Sequence, residues 1–188
     1  MIEILTLNQK DVSDFSNARN TLLNKSKSDW VFFLDTDESL SKGLKKEIKS
    51  LDLKNFDGYY VKRKNYFVSQ YIGEDRIIRL GKKGKGEWKR RVHEIWNIQG
   101  KIGELQNPII HNTSHSVFKM IKKLNFYSTL HAEENLANRN KSTVLKIIFY
   151  PLFKLIQSLF MGRGFVFSLL QSFHSFLSWS KEWQLQKD

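Results

Sequence analysis

Residues 29–41, DWVFFLDTDESLS, decide the fold of this 188-residue chain. The apolar run WVFFL has the length of a strand, and a continuous apolar run is typical of a strand buried on both faces of a sheet. It leads into Asp35, Asp37 and Glu38, and carboxylates so close together repel one another unless a positive charge lies between them. The pattern predicts an α/β sheet with a charged site at the carboxyl end of this strand, where ligands bind in open α/β sheets.

Asp35 and Asp37 have two interpretations. Where the chain leaves the strand in a turn, the two carboxylates can point the same way and share a hard cation such as Mg²⁺ or Mn²⁺ with a diphosphate. The alternative is that they only precede the next helix, within SLSKGLKKEIKSL, whose dipole favours negative charge at its start. The apolar strand before them favours the cation site, and we expect both carboxylates to face solvent.

The composition narrows the classes of partner. A net charge of +12 favours an anionic partner such as a phosphorylated small molecule, an anionic membrane surface or nucleic acid. Basic and aromatic residues interleave between residues 59 and 96, but no recognised nucleic-acid-binding motif accompanies them, so we predict no nucleic-acid partner. The absence of cysteine excludes disulfides and thiolate metal sites.

Apolar periodicity predicts strands at 2–7, 58–67, 76–80 and 107–111, and a strand–turn–strand at 92–105. Ser16 is placed to cap a first helix, and Ser39 or Ser41 a second. Near Ser114 the pattern changes from mixed α/β to helical. We therefore predict a domain at 1–113 and a helical, aromatic-rich extension at 114–188.

Two further groups of charged residues are candidates for chemistry. Glu94 stands beside His93, and such a pair can act as a general base on a hydroxyl; an exposed glutamate and a hydrogen-bonded histidine on an edge strand are the alternative. Arg76 and Arg79 flank apolar strand residues, which predicts contacts with phosphate oxygens rather than a solvated surface. His111 ends an apolar run, either as a metal ligand or as a core histidine.

Several of these stretches occur together, in the same order, in one known family. They are DFSNARN at 14–20, DWVFFLDTDESLS at 29–41, GYYVKRKNYF at 58–67, RIIRLGKKGKGEW at 76–88, VHE at 92–94, NPIIH at 107–111 and the tail segment KLNFYSTLHAEE. The set resembles the family 2 glycosyltransferases with the GT-A fold, and among them the bacterial lipopolysaccharide-core glucosyltransferase-like branch. The resemblance covers nearly the whole chain.

This resemblance implies a partial GT-A (Rossmann-like) mixed sheet with helices, followed by the helical extension. It implies inverting transfer of a sugar from a nucleotide-sugar donor to a saccharide or glycolipid acceptor in cell-envelope polysaccharide synthesis. Carried over position by position, it implies a divalent cation, Mn or Mg, on Asp35, Asp37 and His111; donor binding by Arg19, Asn20, Asp35, Arg76 and Arg79; and Glu94 as the base, with His93 beside it.

The chain departs from the family pattern at its start. Members begin with a strand and loop that receive the nucleotide base, followed by a strand ending in an Asp-rich turn, and neither is in this sequence. The spacer between Phe67 and Arg76 is also short. We expect that this chain alone does not turn over a sugar nucleotide, and that it either aggregates or requires a separately encoded N-terminal half. The alternative is a non-catalytic remnant that binds membranes or a partner chain through its basic surface.

The tail contains apolar stretches that Lys146, Lys154 and Arg163 interrupt, so no run of about 20 apolar residues spans a bilayer. Phe, Trp and Leu together with Lys are typical of a helix lying in the membrane interface. A helix packed on the catalytic domain is the alternative. We expect a cytoplasmic protein, peripheral on the inner face of the cytoplasmic membrane and bound to its anionic surface.

Overall fold

The computed structural model describes residues 1–7, 14–90, 94–138 and 141–187. The elements of these residues are, in chain order, β1 (Ile2–Leu7), α1 (Phe15–Lys25), β2 (Trp30–Asp35), β3 (Glu38–Leu40), α2 (Lys42–Ser50), β4 (Gly58–Phe67), β5 (Gln70–Lys82), β6 (Gly86–Lys89), β7 (Ile95–Ile98), β8 (Ile102–Glu104), β9 (Ile109–Ser114), α3 (Val117–Ala137), α4 (Val144–Phe160) and α5 (Phe165–Leu185).

Seven strands form one mixed sheet in the order β1-β2-β5-β4-β9-β3, with β8 pairing with the first residues of β4. β1 and β2 are parallel, with Ile2 opposite Trp30 and Leu7 opposite Asp35. β2 is antiparallel to β5, and β3 to β9. β6 and β7 form a separate two-stranded ribbon. The predicted mixed sheet with helices is confirmed.

β2 is buried on both faces, as its apolar run predicts. Phe32 packs in one hydrophobic core with Leu44 of α2, whereas Val31 and Phe33 pack in another with Trp96 of β7. Val31, Phe32 and Phe33 have no exposed surface. Side chains of a strand alternate between the faces of its sheet, so two cores on either side need apolar residues at every position. The site at the end of β2 is thereby anchored on both sides.

The two helices of the sheet begin at side-chain caps. Ser41 accepts a hydrogen bond from the backbone N–H of Leu44 at 3.1 Å and caps α2. Asp14, and not the predicted Ser16, caps α1: its carboxylate accepts from the backbone N–H of Asn17 at 2.9 Å and from the Ser16 hydroxyl at 2.8 Å. A carboxylate at this position also interacts favourably with the helix dipole, which a hydroxyl cannot do.

Two strand predictions differ from the structure in their pairing. The strand predicted at 76–80 is part of the longer β5, which follows β4 after a two-residue turn at Val68 and Ser69, with φ of 47° and 64°. Positive φ at both positions is the requirement of a tight hairpin turn. β7 and β8 do not pair with each other as a hairpin: β7 pairs with β6, and β8 with β4.

The chain divides into two compact units, one of Met1–Asn65 and Glu74–Asn112, the other of Tyr66–Gly73 and Thr113–Asp188. The second unit has its own core of six buried residues, namely Phe67, Ile72, Met120, Leu124, Phe167 and Leu170. Residues 66–73, which include the turn between β4 and β5, also belong to this second unit. The two units therefore do not correspond to a single division of the sequence at 113/114, and the predicted domain boundary there stays a prediction. None of the described helices is long and apolar enough to cross a membrane.

Candidate active site

Arg19 is a buried arginine at the centre of the site. α1 carries it, and only 1% of it is exposed. Its guanidinium lies 4.7 Å from the ring centre of Trp88 and 5.6 Å from that of Phe33. Its Nη2 donates to Oδ1 of Asp35 at 2.7 Å, and its Nε and Nη2 lie 3.0 and 2.9 Å from Oε1 of Glu94. One guanidinium therefore joins the last residue of β2 to the residue that precedes β7.

Asp35 is shared between two arginines. Nη2 of Arg79, on β5, donates to its second carboxylate oxygen at 2.6 Å, while Arg19 occupies the first. Burial by itself raises the pKa of Asp35, but the charges of Arg79 and Arg19 and their hydrogen bonds outweigh it and hold the pKa below its ordinary value. Asp35 is therefore an ionised carboxylate inside the protein.

Glu38 closes the turn after β2. One of its oxygens accepts from the backbone N–H of Asp35 at 3.0 Å, and the other accepts from Nη2 of Arg79 at 2.9 Å and Nη1 of Arg63 at 3.0 Å. The Glu38 side chain is fully buried, which suits a structural carboxylate better than a base that must reach an acceptor. Arg63 in turn binds Asp75 at 3.0 and 2.7 Å.

These contacts form one chain of alternating charges, called here the charge chain. Its members, in order, are Glu94, Arg19, Asp35, Arg79, Glu38, Arg63 and Asp75. Each interior member lies between two groups of opposite sign, so each buried charge is compensated on both sides. Buried ion pairs need this compensation to be stable away from water. The hydrogen bonding is not complete, since Nη1 of Arg19 and Nε of Arg79 are buried without a partner among the described residues.

Asp37 lies beside His111. The pairing of β3 with β9 sets His111 opposite Glu38, next to Asp37, and Nε2 of His111 lies 3.5 Å from Oδ2 of Asp37. On its other side, Nδ1 of His111 lies 2.6 Å from Oδ1 of Asn65, an oxygen that only accepts. Nδ1 is therefore the protonated nitrogen, and Nε2 is left facing Asp37.

Asp37 and His111 are adjacent side chains of two types that commonly bind metal ions. Their side chains are 24% and 16% exposed, and carboxylate and imidazole together suit Mn²⁺. The hydrogen bond from His111 to Asn65 is the kind that orients metal-binding histidines. Among the described residues, no group of three His, Cys, Asp or Glu could hold a metal ion. A cation that arrives with a diphosphate needs only one or two protein ligands, so the pair fits that kind of site.

The structure thus separates the residues that were predicted to act together. Arg19, Asp35, Arg79 and Glu94 lie in the charge chain, and Asp37 and His111 lie beside it. The expectation that both aspartates face solvent is wrong for Asp35, which is 7% exposed, because two arginines bind its oxygens from within the protein.

Two predicted donor-binding residues make contacts within the protein, and their donor-binding role stays a prediction. The side-chain amide of Asn20 binds both backbone groups of Trp88, at 2.8 and 2.9 Å, and so ties α1 to β6. Arg76 pairs with Glu104 at 3.2 and 3.1 Å and stacks on the ring of Tyr60, 3.7 Å from its centre. His93, predicted beside the base, lies outside the described residues.

Sequence reasoning missed Arg63 and Asn65. Both lie on β4, two and four residues after the buried Val61, and alternate residues of a strand share a face. This alternation places polar residues on the same face as a core residue. That was a usable signal, because polar groups on a core face need partners, here Glu38 and His111.

The mixed sheet and the charged site at the carboxyl end of a buried strand define an α/β protein with a ligand site of the open-sheet kind. The family described as "Glycosyl transferase family 2" matches residues 2–124. This chain belongs to that family, and the predicted membership is confirmed.

Two relatives carry the same kind of name. The chain is 25% identical over 187 residues to the lipopolysaccharide core biosynthesis glycosyltransferase LpsC of Rhizobium meliloti, an alignment that covers 90% of this chain and 69% of the relative. It is 23% identical over 180 residues to an uncharacterized glycosyltransferase of Rickettsia typhi, covering 82% of this chain and 62% of the relative. The chain thus spans about two thirds of the length of these relatives.

The first prediction concerns the stability of the charge chain. Replacing Asp35 by Asn leaves Arg19 and Arg79 buried without their shared negative charge. We expect the free energy of unfolding to fall by about 3 kcal/mol, the scale for breaking a buried ion pair. Denaturant unfolding measures it. Asp29→Asn, an exposed carboxylate just before the same strand, is the control and should change stability by less than about 0.5 kcal/mol. Equal losses in both variants would contradict the assignment.

The second prediction concerns pH. The folded pKa of Asp35 lies below its unfolded value of about 4, so its ionisation stabilises the fold fully above that value and progressively less as pH falls toward the folded pKa. The stability difference between wild type and Asp35→Asn should therefore be constant at neutral pH and shrink on acidification below about pH 4. Unfolding curves at a series of pH values measure it, and a difference that stays constant into acid would refute the linkage.

Proposed function

We propose that this member of the family transfers a sugar, with inversion, from a nucleotide-sugar donor to a saccharide or glycolipid acceptor. The observation that carries the proposal is the pair of contacts from Arg19, to Asp35 on one side and to Glu94 on the other. They place the candidate base and the aspartate at the end of β2 in one rigid network. Asp37 and His111 lie at the exposed side of the same turn.

Glu94 is the proposed general base. Its side chain is 18% exposed, and Arg19 holds it through Oε1. Its other oxygen bonds to no described residue, and so can face an acceptor. Glu94 takes the proton of the acceptor hydroxyl while that oxygen attacks the anomeric carbon. The bond from this carbon to the diphosphate breaks in the same step, and the diphosphate leaves with the electron pair. A single displacement of this kind inverts the anomeric configuration.

Arg19 and Asp35 are positioning residues in this proposal. Arg19 fixes the orientation of Glu94, and Asp35 fixes Arg19, so a base on the short segment before β7 is held as firmly as one on a strand. Asp35 retains lone pairs for a hydroxyl of the donor, since each carboxylate oxygen can accept more than one hydrogen bond. Preorganisation of this kind lowers the cost of reaching the reactive geometry.

Asp37 and His111 are the proposed protein ligands of a divalent cation, Mn²⁺ or Mg²⁺. When bound, such a cation supplies positive charge to the diphosphate leaving group. Phosphate oxygens and water would supply its remaining ligands, so two protein ligands would suffice. The assignment replaces the predicted set of three, since Asp35 gives its oxygens to arginines.

The relative LpsC is named for lipopolysaccharide core biosynthesis, and we propose by analogy that the acceptor is a saccharide or glycolipid of the cell envelope. A partner chain also remains part of the proposal. β1 is an edge of the sheet, and its Ile4 is 48% exposed. Such an edge can pair with a strand of another chain.

The third prediction tests the cation site. Asp37→Asn removes one charged ligand, so Mn²⁺-dependent binding of a nucleoside diphosphate should weaken by about tenfold or more. Calorimetry with UDP, GDP and ADP, each with and without Mn²⁺, measures this, and the electron paramagnetic resonance signal of free Mn²⁺ reports metal binding directly. Because Asp37 is partly exposed, stability should change little, in contrast to Asp35→Asn. Asp29→Asn is again the control. Unchanged metal-dependent affinity in Asp37→Asn would exclude Asp37 as a ligand.

The fourth prediction tests the function. In a form of the protein that transfers sugar, Glu94→Gln should lower kcat by about 10²- to 10⁴-fold and leave donor affinity unchanged, because only proton transfer is lost. Glu87→Gln, an exposed glutamate on β6, is the matched control and should retain activity. The assay measures transfer from a panel of sugar nucleotides, and the anomeric configuration of the product tests inversion. If Glu94→Gln keeps full turnover, the base lies elsewhere.

A further inference from the structure

The outer face of α4 is apolar and exposed. The stripe of residues 144, 148, 152 and 156 and the stripe of residues 145, 149 and 153 both recur at four-residue spacing, so they form one continuous face of the helix. Each of these residues is at least 50% exposed, and Phe153 is 66% exposed. The face continues past the end of α4 to Phe160, which is 90% exposed, and to Phe165 at the start of α5, which is 65% exposed.

The two buried residues of α4 are Pro151 and Ser158, and hydroxyl groups take part in the contact of α4 with α5. Ser158 and Ser168 are both buried and hydrogen-bond to each other at 2.9 Å. Ser172 donates to the carbonyl oxygen of Pro151 at 2.9 Å, within the same contact. The hairpin of α4 and α5 thus has buried hydroxyls inside, beside Pro151, while the phenylalanines of α4 lie outside, an arrangement called here inverted. Helices packed in lipid use small and hydroxyl residues at their contacts in this way.

The segment that contains α4 and most of α5 has charges of one sign: residues 141–181 contain five Lys and Arg and no Asp or Glu. Lys181 is not part of the outer face, because its Nζ donates to Asn125, Ser128 and Thr129 of α3. Lys154 lies on α4, and Arg163 lies between the two helices. Trp179 lies where Ser142 and Tyr150 meet α5: Ser142 donates to its carbonyl oxygen, and Tyr150 and Lys146 contact its ring. Trp and Tyr next to Lys are enriched at membrane interfaces.

We propose that the outer face of α4, with Phe160, Arg163 and Phe165, docks onto an anionic membrane surface. The helix lies in the interface, with its apolar side chains among the acyl chains and its cations at the lipid phosphates. It does not cross the bilayer, since none of the described helices is long and apolar enough. A hairpin that is inverted in this way and carries only positive charges is stable where the outer medium is apolar and the adjacent surface is negative.

This proposal goes beyond the proposed function and does not depend on it. The surface lies in the second compact unit, and every residue that carries it lies outside the charge chain. Membrane binding can therefore be present in a variant that transfers no sugar, and the tests use binding alone. The other occupants of such a face are a second copy of this chain or another protein, and the experiment separates them.

The first arm measures binding of the full chain to phosphatidylcholine vesicles in which about a third of the lipid is the anionic phosphatidylglycerol. The variant Phe149→Gln, Phe153→Gln, Phe160→Gln should lower the partition coefficient about 100-fold, because each ring loses its burial in the bilayer. Gln keeps helix propensity, and circular dichroism verifies the fold.

The matched control removes exposed apolar residues from α3. Phe118, Ile121 and Phe126 are 67%, 41% and 48% exposed, and replacing all three by Gln should leave binding within about threefold of wild type. An equal loss in both triple variants would overturn the assignment to α4.

The second arm tests the charge. Lys154→Glu with Arg163→Glu should weaken binding to the anionic vesicles at least about 20-fold, since each cation near an anionic surface is worth about a factor of five. The control is Lys45→Glu with Lys46→Glu, two exposed residues of α2 that change the net charge by the same amount. It should lose less than about threefold. Wild type should bind pure phosphatidylcholine vesicles at least about 20-fold more weakly than anionic ones.

Two results would overturn the proposal. One is a wild-type chain that does not bind the anionic vesicles at all. The other is a wild-type chain that forms a stable dimer by light scattering, keeps that dimer in the presence of vesicles, and loses it in the Phe149, Phe153 and Phe160 variant. That pattern would assign the face to a second copy of the chain.

Discussion

The structure depends on the sharing of one carboxylate between two arginines. Asp35 ends the strand that both hydrophobic cores enclose, and its oxygens fix Arg19 of α1 and Arg79 of β5. Removing ions from water is costly, so these three groups are stable inside the protein only when all three are present. This constraint fixes positions more strictly than apolar packing does. A methyl group that shifts slightly keeps most of its stabilisation, whereas a buried charge that moves away from its partner loses most of it. The helix, the strand and the turn are therefore set relative to one another by electrostatics.

How far the sequence predicts this arrangement follows from individual residues. WVFFL indicates a strand buried on both faces because the apolar run has the length of a strand and is too short for a helix buried on all sides. The two aspartates after it look equivalent in the sequence, since only one residue separates them. They are not equivalent in the structure: Glu38 accepts a hydrogen bond from the backbone of Asp35 and turns the chain back, so that Asp35 stays inside while Asp37 faces His111. The sequence does not contain this information locally, because the partners of Glu38 are on β4 and β5.

The same reasoning applies to the arginines. Arg76 and Arg79 lie three residues apart on one strand and look alike as candidates for phosphate binding. The pairing of β2 with β5 brings Arg79 to Asp35, whereas Arg76 pairs with Glu104 over the ring of Tyr60.

In the second unit, what the sequence does not predict is the direction in which an apolar helix face points. Hydrophobicity identified the tail as unusual, but only the packing of Ser158 on Ser168 shows that its apolar face points outward.

The balance of charge in the charge chain has a consequence for the proposed catalysis. Its four carboxylates, Glu94, Asp35, Glu38 and Asp75, outnumber its three arginines, Arg19, Arg79 and Arg63. Arg79 was predicted to contact phosphate and Arg19 to bind the donor, but the charge of all three arginines is already compensated by carboxylates at distances of 2.6 to 3.0 Å. A diphosphate leaving group near the charge chain would meet no net positive charge from its seven residues. In a site arranged this way the charge chain provides rigidity, and stabilisation of the leaving group has to come from cations outside it. That requirement makes Asp37 and His111, which lie beside the chain and not within it, the residues on which the proposed chemistry depends.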